Sequence, residues 1–546
     1  MSETTPPPIR GAWREDLRAR AAYAEGAGIF RIVPRAVCRP LDAADLSVLV
    51  RWAAERGVPL VPRGAGSAMS GSSVGPGVVV DCTGLAEGAV LEIDPATRRA
   101  RTGAPVPLGV LNAAAARHGL RLPPDPSSAR WATAGGVTGT NAAGARTVKY
   151  GSVRRWIDGV RLVTADGERQ WLRRAGPGPA RFEAEAAPAI HAAAALVLER
   201  WPRTRKNSAG YALDAYLASG DALDLVIGAE GTLGFVTEVE WRLDALPART
   251  AALRVALESL GALSAVVGAL APFAPSAVEL LDETFLRLVA PTLDGPLGAL
   301  ARSVGALVLV ELEGDDPAAL AASVAAAAEA VRPWAESVET AVEPGETERL
   351  WHVRHAASPI LAGLPESRRS LQVIEDACVP VARISDYVRA VRREAAARGL
   401  DVVIFGHAGD GNVHVNLLPE LARPDWERAV ADLLEAVTAE VLRLGGTPSG
   451  EHGAGRLRAA FLERVYGPEI VDLFRRTKAS FDPSGILNPG VILPGDSIPI
   501  QQLKTGAGAA ALPADIAAAL REIERTGGYA TPRLELADRP PQPTGP

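Results

Sequence analysis

Val403-Ile-Phe-Gly-His-Ala-Gly-Asp-Gly-Asn-Val-His-Val-Asn416 is answered about thirty-five residues later by Ser449-Gly-Glu-His-Gly453. Val402 to Phe405 and Val413 to Leu418 read as two strands, and Ala408-Gly-Asp-Gly-Asn412 supplies turn chemistry, so His407 and His414 are expected to flank one hairpin turn. Asn416 follows His414 at strand period two and shares its face. Glu451 arrives from a Gly-rich turn ahead of a helical run expected over Arg456 to Arg464. Two imidazoles and a carboxylate with an open position form the ligand pattern of a catalytic zinc site, with His407, His414 and Glu451 as ligands and His452 left free as a base. The competing reading is a plain hairpin whose histidines cap strands.

Outward from this stretch, 546 residues that are 47% hydrophobic and 22% charged describe a globular chain long enough for two to four domains. A net charge of -6 and the lack of a basic, aromatic-rich patch argue against a nucleic-acid partner. The opening Met1-Ser-Glu-Thr-Thr-Pro-Pro-Pro8 lacks signal-peptide regions, and apolar runs such as Ala265 to Ala271 are too short for a transmembrane segment, so a cytoplasmic location is expected. Cys38, Cys82 and Cys378 are too few and too scattered for a disulfide framework or an iron-sulfur cluster.

Residues 1–30 read as a leader with one helical patch, Trp13 to Gly26. Pro34 to Pro40 is an expected strand, followed by a helix over Leu46 to Arg56 capped by Asp42 or Asp45 and a strand over Val58 to Pro62. The Gly- and Ser-rich loop Pro62 to Gly75, with one Arg, exposes backbone NH groups that can cradle a diphosphate, and its spacing matches neither the Walker loop nor the GxGxxG fingerprint. Small residues dominate Ala132 to Ala145, which lets backbone lie against a flat ligand, and a second such run is Gly228 to Thr237. Beyond about residue 247, strands and helices alternate: Ala252 to Leu257, Ala306 to Leu312 and Leu371 to Asp376 are expected strands, each followed by a helix, and Trp426 to Leu444 is a further helix. A helix is expected over Pro513 to Thr526 in the tail, to which no chemistry is assigned.

The chain resembles the vanillyl-alcohol-oxidase (PCMH-type FAD-binding) superfamily, within it the D-lactate, glycolate and D-2-hydroxyglutarate dehydrogenase group. The resemblance runs from about residue 30 to 497 and rests on six motifs in order. They are the Arg63 loop, the Pro123-to-Gly151 run, Gly228 to Thr237, the hairpin, the Glu451 turn and Phe481-Asp-Pro-Ser-Gly-Ile-Leu-Asn-Pro-Gly490. It implies an α+β fold with these divisions: leader 1–30, a PCMH-type FAD-binding domain of two α/β subdomains over 31–246, a cap domain with an antiparallel sheet and C-terminal helices over 247–497, and a tail over 498–546.

It also implies noncovalent FAD, because no histidine lies in the flavin-facing runs. Arg63, Gly64, Ala65, Gly66, Ser67, Ser70 and Gly71 would surround the diphosphate, and Pro124, Asp125, Ser128, Thr133, Gly136, Asn141 and Gly144 the rest of the cofactor. Glu230, Gly231, Gly234, Val236 and Asn488 complete that set. The divalent metal, Zn²⁺ or Mn²⁺, would sit on His407, His414 and Glu451, with Arg354 clamping the substrate carboxylate, Asn416 beside it and His452 as base. The implied activity is oxidation of a D-2-hydroxy acid such as D-lactate or glycolate to the 2-oxo acid. Electrons would pass to an external acceptor, a separate iron-sulfur protein or another soluble carrier that docks on the tail; a homodimer stays open. Ile374 stands where D-2-hydroxyglutarate enzymes place a lysine, which disfavours a long dicarboxylate. An alkylglycerone-phosphate-synthase-like transferase and a noncatalytic flavin subunit are the alternatives.

Overall fold

The computed structural model describes residues 5–293, 295–355, 357–495 and 500–540. The first α/β unit is a four-stranded sheet, ordered Ala12–Arg14, Ala36–Arg39, Val78–Asp81, Leu60–Arg63, with the last three strands parallel. Between Ala36–Arg39 and Leu60–Arg63 runs the helix Ala43–Arg56, and of the two candidate caps Asp42 is the one used: its side chain accepts from the amides of Ala44 and Asp45. Asp45 instead accepts from the amides of Arg10, Gly11 and Leu41, so the helix starts three residues earlier than its apolar periodicity suggests. Gly57, at φ 61, ends it in the left-handed conformation.

The second unit is a five-stranded antiparallel sheet ordered Leu91–Asp94, Arg99–Gly103, Phe235–Arg242, Ile157–Val163, Arg169–Arg173. The third is a six-stranded antiparallel sheet ordered Ser337–Ala341, Arg249–Leu257, Ala306–Gly314, Ala277–Asp282, Asp401–His407, Asn412–Leu418. One face of this sheet is buried under the helices Leu263–Leu270, Pro317–Val331, Ile384–Ala397 and Trp426–Arg443. On the opposite face, Leu281, Leu307, Leu309, Val403 and Phe405 pack under Phe285, Leu286 and Val289. Towards one corner that second face turns polar: Glu279 pairs with His407 across one ladder, and Phe405 with His414 across the next. Period two then places Glu279, His407, His414 and Asn416 on one side of the sheet.

Three expectations change here. Leu371 to Asp376 is no strand: Leu371 exchanges backbone hydrogen bonds with Leu417, after which Asp376 bonds outward with its side chain and the ladder stops. Ala277–Asp282 and Ser337–Ala341 are strands that apolar patterning did not mark. Where a helix was expected from Arg456, only Leu462–Tyr466 is α-helical, because the side chains of Arg456 and Arg458 turn inward to Val74, Pro489 and Glu375.

The first and last described segments are built into the body. Ala12–Arg14 pairs with Ala36–Arg39. The tail helix Ala514–Thr526 packs Ile516, Leu520 and Ile523 on Ala21, Ala22 and Tyr23, so this face of the tail is covered rather than offered to a docking partner. The first domain is tied to the cap by ions. Arg146 bonds Asp125 and Glu311, while Arg121 and Lys149 both reach Glu313 at 2.9 Å and Tyr150 donates to the same carboxylate.

Candidate active site

A cavity of about 840 Å³ lies between the flavin-expected loops and the polar corner of the cap sheet. On its first side are Gly64, Ala65, Gly66 and Ser67, then Asp125, Ser128, Thr133, Gly136 and Gly144, then Glu230, Gly231, Gly234 and Val236. Thr133 caps the helix Ala134–Thr140 by accepting from the amide of Gly136. A Cβ at Gly139 would meet nothing within 4 Å, so one face of this helix presents bare backbone to the cavity, as a large flat ligand requires. Gly64 permits the loop to lie on Thr133; a Cβ there would come 2.5 Å from the threonine hydroxyl.

Five of the expected cofactor residues stand behind this lining. Ser70 donates to the carbonyl of His452 at 2.8 Å, and Gly71, at φ 85, packs against the ring of Phe30. Asn141 accepts from the amide of Arg154, Asn488 donates to the carbonyls of Ser72 and Glu230, and Pro124 is buried. Arg63 lines the cavity, but its guanidinium is spent on the protein: it donates to the carbonyls of Tyr23, Glu25 and Ser73 and lies over the Tyr23 ring. Arg63 was expected beside a diphosphate; it stands at the cavity wall, but its hydrogen bonds run to these three carbonyls and hold the loop's shape. Burial pushes the Glu230 carboxyl up to about 7, against hydrogen bonds from Gly455 and Ser70.

On the opposite side the two imidazoles meet. His407 Nδ1 lies 2.5 Å from Glu279 Oε1, and His414 Nδ1 lies 2.9 Å from the carbonyl of Glu375. Both Nδ1 atoms therefore donate outward, and the two Nε2 atoms face inward, 3.3 Å apart. Burial lowers the His407 pKa, but Glu279 and Glu451 outweigh it and push it up to about 9, so His407 Nε2 holds a proton that a bound metal would displace. Glu451 Oε1 completes the triangle at 3.2 Å from His407 Nε2 and 3.4 Å from His414 Nε2. Ligands at about 2.0–2.1 Å from a tetrahedral zinc are separated by roughly 3.3–3.4 Å, so these three atoms fit three corners of such a site.

Around the triangle stand carboxylates that sequence spacing did not reveal. Glu279 accepts from Arg354 Nε at 2.7 Å with its second oxygen. Burial raises its pKa, but His407 and Arg354 outweigh this and hold it well below the usual carboxylate range. Among the described residues Nε is the one nitrogen of Arg354 that hydrogen-bonds, its guanidinium lies 5.0 Å over the Phe405 ring, and the side chain lines the cavity rather than sitting as a solvated charge on the helix Pro344–His355. His352 on that helix is exposed, and the side chain of His355 lies outside the described residues.

His452 does not point away from the ligands. Its ring stacks at 5.3 Å on His414, its Nε2 is 3.6 Å from Glu451 Oε1, and its Nδ1 is held by Glu375 Oε2 at 2.6 Å. Burial lowers its pKa, but Glu375 and Asp376 outweigh burial and push it up to about 10. Asp376 accepts from the amides of Glu451 and His452 and so fixes the turn that carries both. Asn416 lines the cavity beside them and accepts from Ser370 at 3.1 Å. Ile374 is in the core, and the residues of that segment facing the cavity are Gln372 and Glu375; the substrate argument drawn from Ile374 therefore fails on geometry. The tail also reaches the cavity, through Arg521, Glu524 and Tyr529.

Glu279, Glu375 and Lys206 are the buried charges in contact with the candidate site that sequence reasoning missed. Glu279 interrupts the apolar run Ala277-Val-Glu-Leu-Leu281, and only four of the chain's 58 Lys and Arg residues are lysine, Lys206 among them. Both oddities are legible signals of a charge kept for a buried partner.

Residues 34–173 match a family described as FAD binding domain, and residues 246–492 match FAD linked oxidases, C-terminal domain. A D-lactate dehydrogenase of Archaeoglobus fulgidus is 31% identical over 470 residues, spanning 85% of this chain and 93% of that one. Glycolate oxidase subunit GlcD of Bacillus subtilis is 29% identical over 474 residues, spanning 86% of this chain and 91% of that one. A D-2-hydroxyglutarate dehydrogenase of Escherichia coli is 27% identical and is covered over 50% of its length by 88% of this chain. Among solved structures, 4-ethylphenol oxidase from Gulosibacter chungangensis shares the fold with a TM-score of 0.63 at 18% identity, over 88% of this chain and 94% of that one.

Proposed function

The chain belongs to the FAD-linked oxidases, and from that premise we propose that it is an FAD-dependent dehydrogenase that oxidises a small D-2-hydroxy acid, such as D-lactate or glycolate, to the 2-oxo acid. The observation that carries the reading is the inward-facing pair of Nε2 atoms with Glu451 and His452 beside them, across one cavity from the glycine-lined loops. Relatives named for D-lactate, glycolate and D-2-hydroxyglutarate support the substrate class.

The chain's residues divide the work as follows. The terminal nitrogens of Arg354 bind the substrate carboxylate, oriented by the bond from its Nε to Glu279. Asn416 lies beside His414 and turns its amide nitrogen to the substrate, since its oxygen is taken by Ser370. His452 Nε2 accepts the 2-hydroxyl proton, with Glu375 holding the tautomer through Nδ1 as a carboxylate orients a general-base histidine. A divalent metal on His407, His414 and Glu451, with zinc preferred for the fit to a tetrahedron, would polarise the hydroxyl as a Lewis acid and by its charge bring His452 down toward the range a base needs. FAD, held noncovalently, supplies the acceptor for the hydride from C2.

Electrons then leave to an external carrier. Cys378 sits in the cap, apart from Cys38 and Cys82 of the first domain, so the three thiols are not gathered for a cluster. The test is turnover with a panel of D- and L-2-hydroxy acids, with an artificial dye and with oxygen as acceptors. Fast dye reduction by D acids with slow oxygen consumption is expected. Peroxide formed in air as fast as dye is reduced would make the protein an oxidase.

A further inference from the structure

Lys206 lies in the loop between the helices Ala194–Arg200 and Leu213–Ser219, outside both matched segments, and is 4% exposed. Its ammonium donates to Glu451 Oε2 at 2.7 Å, to Asn412 Oδ1 at 3.3 Å and to the carbonyl of Gly144 at 3.3 Å, and lies 3.4 Å from Asp410 Oδ2. Three N–H groups thus meet three acceptors, two in the cap and one in the flavin-facing run. The loop is stitched to the turn that carries Glu451: the Ser208 amide donates to the Ser449 carbonyl at 3.0 Å, and Thr447 donates to the Asn207 side chain at 2.9 Å.

We infer that Lys206 is a positioning residue of the metal centre, holding Glu451 to one-oxygen ligation and joining that ligand to the flavin-facing backbone at Gly144. The inference rests on the metal reading proposed above. Glu451 Oε1 faces the two imidazoles, while Oε2 is engaged by a buried cation, so the carboxylate has one oxygen to offer. A set of two nitrogens and one oxygen leaves a fourth position for substrate, which a two-oxygen carboxylate would fill. The bond to Gly144 makes the position of this ligand sensitive to how the first domain packs on the cap.

The test loads wild-type holoenzyme, Lys206→Met, Lys206→Arg and the double variant Lys206→Met/Asp410→Asn with cobalt(II). Visible absorption beyond the flavin band reads the coordination, and competition with a chromophoric chelator reads metal affinity. Wild type should show the intense bands of four-coordinate cobalt. Lys206→Met should lose that intensity and bind metal about 10–100-fold more weakly while keeping FAD, with part of both recovered in Lys206→Arg. The double variant removes Lys206 and its second counter-charge together, and it covers the case in which the single variant fails to fold. It should show the same altered cobalt spectrum. Wild-type bands and affinity in either Met variant overturn the inference, whereas a wild type that takes up no cobalt overturns the metal reading itself.

Discussion

The Nε2 atoms of His407 and His414 face each other at 3.3 Å with both outer nitrogens already committed, His407 to Glu279 and His414 to the Glu375 carbonyl. Two lone pairs at that distance repel unless a proton or a metal cation stands between them, and a bound metal would take the proton's place. His407→Ala or His414→Ala should therefore abolish bound metal, measured by elemental analysis, and leave FAD in place. Glu279→Gln, which meets His407 on its outer nitrogen and also loosens Arg354, should weaken metal binding by roughly 10–100-fold. Full metal occupancy in His407→Ala would show that these atoms are not ligands.

His452→Ala should retain metal and FAD and slow substrate reduction of the flavin by roughly 10²–10⁴-fold in rapid mixing. Glu375→Gln should fall in the same direction by a smaller factor, because the base stays while its tautomer and orientation loosen. Equal rates in His452→Ala and wild type would remove the histidine from the mechanism.

Arg63→Ala should destabilise the protein even without cofactor, since the lost bonds run to the Tyr23, Glu25 and Ser73 carbonyls. A charged hydrogen bond contributes about 1.5–3 kcal/mol, so the denaturant midpoint of FAD-free protein should drop measurably. An unchanged FAD-free midpoint with weakened FAD retention would restore the view that Arg63 serves the cofactor alone.

The junction between the domains should be acid-labile. Burial raises the pKa of Glu313, but hydrogen bonds from Arg121, Tyr150 and Lys149 overcome this and lower it from 4.5 to about 2. A depressed carboxylate stabilises the folded state above its unfolded pKa, and that contribution fades as pH falls from 4.5 toward 2. Thermal unfolding followed from neutral to acid pH should show this loss, and Glu313→Gln should flatten it. A variant with the wild-type acid slope would place the sensitivity elsewhere.

The meeting of His407, His414 and Glu451, the proposed metal ligands, was legible because most of it is local. Period two in a hairpin puts His407, His414 and Asn416 on one face whatever the rest of the chain does, and one glycine-rich turn delivers Glu451 and His452 together. What was not legible is the shell behind it. Glu279 approaches along a strand 128 residues from His407, and Lys206 from a loop 245 residues before Glu451. No local period links such pairs; only the tertiary fold does. Arg63 was misjudged for a related reason: a lone Arg in a glycine loop reads as a ligand for anions, yet backbone carbonyls of residues 23, 25 and 73 were near enough to claim it. The tail looked empty because its apolar stripe, Ile516, Leu520 and Ile523, finds its partner at Tyr23, at the opposite end of the chain.

The most direct measurement is anaerobic reduction of the bound flavin by D- and L-2-hydroxy acids in three samples: as purified, stripped of metal by chelator, and stripped then reloaded with zinc. The account predicts rapid bleaching by a D acid in the first and third samples, little in the second, little by L acids in any, and equal bleaching of all three by dithionite. Bleaching of the stripped protein by a D acid as fast as the reloaded one would contradict it.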